Sequence, residues 1–178
     1  MRTPFHVATE LTTPVTTEDH SVGADEALVT LVEYGDFECP YSGAAMPAVQ
    51  RLLRLRLQTV RFVYRHFPLV NAHPHAEMAA EAAEAAGTRE RFWALHDWLF
   101  EHRPLDPVQI MLGVEEAGLD STAVAHELVG RQHADRVRRD FASGVRSGVT
   151  GTPTFFVNGL RHEGGYGLAD LLAAVDAA

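Results

Sequence analysis

Cys39 is the only cysteine in the 178-residue chain. It stands in Cys39-Pro40-Tyr41-Ser42, after an alternating, β-branched run, Ala27 to Tyr34, that predicts a strand. Gly35-Asp36-Phe37-Glu38 turns the chain, and Pro40 falls at the first residue of a predicted helix, where proline is best tolerated. That places the Cys39 sulfur at a helix N-terminus, among unsatisfied amide donors and the positive end of the helix dipole. Such sites favour the thiolate, the reactive form of cysteine. Read on these residues alone, Cys39 is equally a reactive thiol or a buried structural cysteine. Ser42 lies one helical turn on, where a redox pair would need its second sulfur. A single sulfur can attack a disulfide, but it cannot close an internal one.

Ser42 is a hydrogen-bond donor to the Cys39 thiolate, a small neutral replacement for a second cysteine, or a serine introduced in the laboratory, where it would trap a mixed disulfide. The ten histidines invite a metal reading, with His66, His73 and His75 close in sequence and His126 and His133 a heptad apart. None has a zinc-type spacing with cysteine partners, so no metal is expected. With 15 basic against 24 acidic residues, the net charge of -9 disfavours nonspecific nucleic-acid binding. One cysteine rules out a disulfide framework. Met1 to Val7 lacks the apolar core of a secretory signal, and no window reaches the roughly 18 to 20 apolar residues of a membrane span. The chain is therefore expected to be cytoplasmic, with no membrane partner.

The elements that must position the thiol are legible from periodicity and breakers. Residues 1–26 are polar and threonine-rich and predict an extended lead-in; a single domain is expected over 27–178. A helix is expected from Pro40 to about Leu57, kinked or broken at Pro47. Thr59 to Arg65 alternates as a second strand, and strand, helix, strand defaults to a right-handed parallel unit. From about 73 to 147 the pattern is helical. Ala76–Ala86 runs to Gly87, Thr88 to about His102 follows, and Asp106-Pro107 and Asp120-Ser121 open two more helices. Arg131 to about Val145 is the last of the set. Thr154–Val157, Asn158-Gly159 and Leu160–Glu163 predict a hairpin, and Leu168–Val175 a closing helix. The sum is an α/β fold: a βαβ half, a helical insertion and a ββα half.

These segments together resemble the DsbA-like branch of thioredoxin-fold thiol-disulfide oxidoreductases. The resemblance rests on Leu31 to Tyr41 as the active-site strand and turn, and on Tyr64-Arg65-His66-Phe67-Pro68-Leu69. It rests also on Phe92-Trp93 with His96-Asp97 and Leu99-Phe100, and on Gly148 to Gly159. It implies a thioredoxin-like fold and makes Cys39 the nucleophile. It implies a cis bond at Thr152-Pro153, with the Thr152 backbone beside the thiol and able to pair with an extended substrate. Pro40 and Tyr41 become the dipeptide that tunes the thiol. Glu33 becomes either an acid buried under the site that assists proton transfer or a strand glutamate facing solvent. The departure is Ser42, where redox-active members carry the second cysteine.

The expected function is a monothiol thiol-disulfide oxidoreductase. Cys39 forms a mixed disulfide with a protein or small-molecule disulfide, and an external thiol such as glutathione resolves it. No resident cofactor is expected; glutathione would be a co-substrate. Two alternatives stand beside this reading: a noncatalytic peptide-binding or chaperone-like module on the same fold, and a glutathione transferase of the kappa type.

Overall fold

Strand β2 (Val29–Gly35), read above as an alternating run, is buried along almost its whole length, because both faces of the sheet are covered there. The computed structural model describes residues 9–178. Met1 to Val7, read above for a signal, and the first part of the lead-in lie outside them. β2 pairs in parallel with β3 (Val60–His66), from Val29 opposite Val60 to Gly35 opposite His66. On its other side β2 pairs antiparallel with β4 (Thr154–Val157), which turns at Asn158-Gly159 into β5 (Leu160–Arg161). A short strand β1 (His20–Val22) adds antiparallel to the far edge of β3, giving the order β1-β3-β2-β4-β5.

Alternation along β2 divides the core. Val29 and Leu31 face α1 (Pro40–Arg56) and α7 (Leu168–Asp176) in a cluster with Met46, Val49, Leu52, Leu171 and Val175. Val32 and Tyr34 face the opposite way, with Val63, Phe67, Val149 and Phe156. There Gly144 lies against Phe67 and Tyr34. It belongs to helix α6 (Ala134–Arg146). The expected break at Pro47 does not occur: α1 runs unbroken, with Pro47 exposed. Buried Met46 and Val49 on either side hold both turns on the sheet.

Five helices stand between β3 and β4: α2 (Ala76–Gly87), α3 (Phe92–Glu101), α4 (Pro107–Glu116), α5 (Ser121–Val129) and α6. Asp106 and Asp120 cap α4 and α5 through their carboxylates, as their sequence positions predict. Two helices begin later than expected. Glu90 and Arg131 adopt left-handed backbone (φ 59° and 53°), so α3 starts at Phe92 instead of Thr88, and α6 at Ala134 instead of Arg131.

From Thr9 onward the lead-in is part of the fold. Leu11 and Arg161 donate backbone amides to Gly159 and Thr9, which ties it to the β4–β5 hairpin. Arg65 of β3 is buried, bonds both Asp19 carboxylate oxygens (2.8 and 3.0 Å), and donates to the Thr13 and Pro14 carbonyls. Among the described residues, no helix is long and apolar enough to cross a membrane.

Candidate active site around Cys39

Cys39 is the N-cap of α1, in extended backbone, with Pro40 the first helical residue. No side chain caps this helix end. The Cys39 side chain itself occupies the position from which a cap would reach the first-turn amides. The residue is 2% exposed. Its thiol donates to the Thr152 carbonyl at 3.2 Å. The Thr152–Pro153 peptide is cis. Pro40 and Tyr41 are exposed beside the buried thiol, Tyr41 at 62%.

The turn before Cys39 is held by one buried carboxylate. Asp36 Oδ1 accepts the amides of Glu38 (2.8 Å) and Cys39 (3.3 Å). Its Oδ2 accepts the Leu69 amide (2.8 Å) and pairs with His73 Nδ1 (2.7 Å). Glu38 in turn accepts the His75 amide at 2.6 Å and faces His75 Nδ1 at 3.2 Å. Two acids of the thiol turn thus grip the segment between β3 and α2. From the other side, the Arg103 guanidinium donates to the Cys39 carbonyl at 3.0 Å. It lies against Gly43, where any β-carbon would collide with it. Asp36 and Arg103 were not singled out from sequence, and His73 and His75 were seen only as part of a histidine cluster. The only signal was the proximity of Asp36 and Glu38 to the cysteine.

Glu33 sits fully buried on the α1 face of β2, so the solvent-facing alternative is excluded. Neither carboxyl oxygen has a hydrogen-bond partner, and burial pushes the carboxyl up to about 8. Ser42 is also fully buried, and its hydroxyl accepts the Asp36 amide at 3.4 Å. The hydrogen bond of the Cys39 thiol goes to Thr152, so the Ser42–Cys39 contact considered from sequence is not the one formed.

Away from the thiol, Glu84 accepts from His20 (2.9 Å) and from His66 (2.8 Å). Burial alone would raise its carboxyl; the two imidazoles outweigh that and hold it well below the usual carboxylate range. His66, Glu84 and Asp140 bring one ligand-type atom each within 4.8 Å of one another. All three already have protein partners, since Asp140 accepts the His66 amide at 3.2 Å. The sequence cluster His66, His73 and His75 is split, because His73 and His75 serve Asp36 and Glu38.

The chain is similar to known proteins in sequence and in fold. A sodium/proton antiporter of Salinispora arenicola, NhaA 1, is 48% identical over 161 residues, 90% of this chain and 24% of that protein. The chain thus spans about a quarter of the length of such antiporter relatives. A thioredoxin-like oxidoreductase from Silicibacter pomeroyi superposes with a TM-score of 0.81 at 28% identity, covering 91% of this chain and 92% of that one. BdbD from Bacillus subtilis superposes with a TM-score of 0.85 at 20% identity over 96% of each chain. The expected cytoplasmic location gains no support from these proteins. A family model described as thioredoxin matches residues 15–177. The chain belongs to the thioredoxin family, with the fold of its DsbA-like thiol-disulfide oxidoreductases.

Proposed function

We propose that the chain is a monothiol thiol-disulfide oxidoreductase. The observation that carries this reading is the Cys39 thiol at the start of α1, resting on the Thr152 carbonyl, with a hydroxyl one turn on. The Cys39 thiolate attacks one sulfur of a substrate disulfide, forming a new S–S bond and releasing the other sulfur as a thiolate. A free thiol of the glutathione type then attacks the mixed disulfide, takes the substrate sulfur and returns Cys39 as thiolate. One disulfide and one thiol enter, one of each leaves, and the protein stores no oxidising equivalents. Exposed Pro40 and Tyr41, with Thr152 and Pro153, offer the surface on which an extended substrate would lie. Glu33 is the buried group able to hold the proton that the sulfur gives up.

Burial of the thiol favours a second reading, a peptide-binding module in which Cys39 is inert. Steady-state transfer of glutathione from a glutathionylated peptide to free glutathione separates the two. Turnover that disappears in Cys39→Ser supports the oxidoreductase. Peptide binding without turnover, unchanged in Cys39→Ser, supports the module. The likeness to part of an antiporter adds a proposal about setting: a thiol module of this type works beside a membrane transporter, in whichever compartment its disulfide substrates occur.

A further inference from the structure

We propose that Tyr64 and His96 form a buried proton path connecting Glu33, beneath the Cys39 site, to solvent at Asp97. The proposal rests on the reading of Cys39 as a working thiol.

The sheet register sets the first link. Glu33 and Tyr64 are direct partners across the parallel β2–β3 pair, so their side chains share a face, the one covered by α1. The Tyr64 ring leans across β2. Its hydroxyl comes 2.8 Å from where a β-carbon would stand on Gly35, the next position on that face after Glu33 and the last residue of β2. Glycine at 35 makes the room. The second link is aromatic: the Tyr64 and His96 rings meet edge to face, with centroids 4.7 Å apart. The third is a hydrogen bond from His96 Nδ1 to Asp97 Oδ1 at 2.8 Å, and the Asp97 side chain is half exposed. Glu33, Tyr64, His96 and Asp97 therefore stand in one row from the floor of the site to the surface.

Along this row the polar atoms lack partners. Both Glu33 oxygens, the Tyr64 hydroxyl and His96 Nε2 are sealed from solvent with no hydrogen bond. Each such atom costs about 1–3 kcal/mol relative to a paired one. A row built only for packing would carry phenylalanine and leucine at these places. Carboxyl, phenol and imidazole are instead the side chains that both accept and give up protons.

Their charge states suit a relay. Burial first, then the nearby charges of Glu33, Asp36, Cys39 and Asp140, keeps the Tyr64 phenol protonated well past its ordinary range. Burial lowers His96 against the opposing pull of Asp97, and His66 and His20 add to the lowering, so the ring is held neutral. With its Nδ1 proton on Asp97, His96 offers an unprotonated Nε2. A proton leaving the Glu33 carboxyl moves to the Tyr64 oxygen as the Tyr64 hydroxyl proton moves to His96 Nε2. The Nδ1 proton then passes out beside Asp97. The three groups are not in direct hydrogen-bond contact, so the path requires a bridging water at each gap. The net change is a Glu33 carboxylate and one proton in solvent, with no electron moved. The reverse sequence refills Glu33, so the acid can be emptied and reloaded in each cycle while Cys39 is covered by substrate.

Two assays on the full chain test the path separately from the thiol. Single-turnover reaction with 5,5′-dithiobis(2-nitrobenzoate) reads attack by Cys39, because the aromatic thiolate leaves without a proton. Steady-state glutathione exchange reads reloading of Glu33. Tyr64→Phe and His96→Gln are each expected to slow the steady state about tenfold, with the double variant no slower than the worse single one. Their aromatic-disulfide rates are expected to stay within about twofold of the parent, since the path acts on proton return. Asp97→Asn, a surface change that spares the core, is expected to slow the steady state as well. Steady-state rates at the parent level in Tyr64→Phe and Asp97→Asn would overturn the path, as would equal losses in both assays. Failure of the unaltered protein to react with the aromatic disulfide would instead overturn the Cys39 reading beneath it.

Discussion

The Cys39 sulfur and the Thr152 carbonyl oxygen, 113 positions apart in the chain, are joined by a 3.2 Å hydrogen bond. It links the two halves of the fold at the site: α1 supplies the thiol, and the segment leading into β4 supplies the acceptor. The same carbonyl that holds the thiol is a backbone group to which an extended peptide could bind. A substrate that pairs with the Thr152 segment therefore arrives where the sulfur is already directed.

Restoring a second sulfur tests the monothiol account. Ser42 is one turn after Cys39, a separation of roughly 5–6 Å that a disulfide can bridge. Ser42→Cys is expected to form an internal disulfide between Cys39 and the introduced sulfur under mild oxidation, seen as loss of two thiols without a mass adduct. Its disulfide-forming activity on a reduced peptide is expected to become independent of added glutathione.

Glu33 gives the fold a pH dependence of definite sign. Its carboxyl is raised to about 8 in the folded chain from an ordinary value of 4.5. Below both values the two states are equally protonated. Between them the unfolded chain ionises and the folded chain does not, so stability falls as pH rises and levels off above the folded value. At about 1.4 kcal/mol per unit, the whole fall is on the order of a few kcal/mol. Urea titrations from pH 4 to pH 9 are expected to show this slope, and Glu33→Gln to flatten it.

Asp36 gathers three backbone amides and one imidazole onto a single buried carboxylate. Asp36→Ala leaves those donors without an acceptor and is expected to cost about 3 kcal/mol in chemical denaturation, since bonds to a charged group are worth about 1.5–3 kcal/mol each and part of the loss is recovered by water. The Cys39 turn should loosen first, so amide exchange at Glu38 and Cys39 is expected to accelerate more than at β3.

The buried Arg65–Asp19 pair pins the lead-in to β3. Asp19→Ala strands the guanidinium and is expected to destabilise the fold by about 3–5 kcal/mol. Burial alone would raise the Asp19 carboxyl, but the Arg65 bond, the Thr16 amide and the charges of Arg65 and Arg136 together outweigh it, and the net direction is downward. The pair's contribution is therefore present above the ordinary aspartate range and lost as pH falls through the lowered folded value. Melting temperatures of parent and Asp19→Ala are expected to converge in acid.

Much of this fold was legible because its elements follow local rules. The alternation of Thr59–Arg65, the caps at Asp106 and Asp120, and the Asn158-Gly159 turn each announce themselves in sequence. The late starts of α3 and α6 were not, since left-handed Glu90 and Arg131 carry no glycine to mark them. Strand β1 was hidden in a polar lead-in because only pairing with β3 makes three residues a strand. At the site, Cys39, Pro40 and Ser42 were visible as a motif. The roles of Asp36, Arg103, His73 and His75 were not, because their partners lie tens of residues away and only the folded chain brings them together. The burial of Glu33 could not be read either, since an acid in an alternating strand fits either face.

The central claim is that Cys39 exchanges disulfides, and intact-mass spectrometry after exposure to oxidised glutathione addresses it most directly. The account predicts one glutathione per chain, localised to Cys39, removed by reduced glutathione and absent in Cys39→Ser. A folded chain that stays unmodified under the same conditions would contradict it.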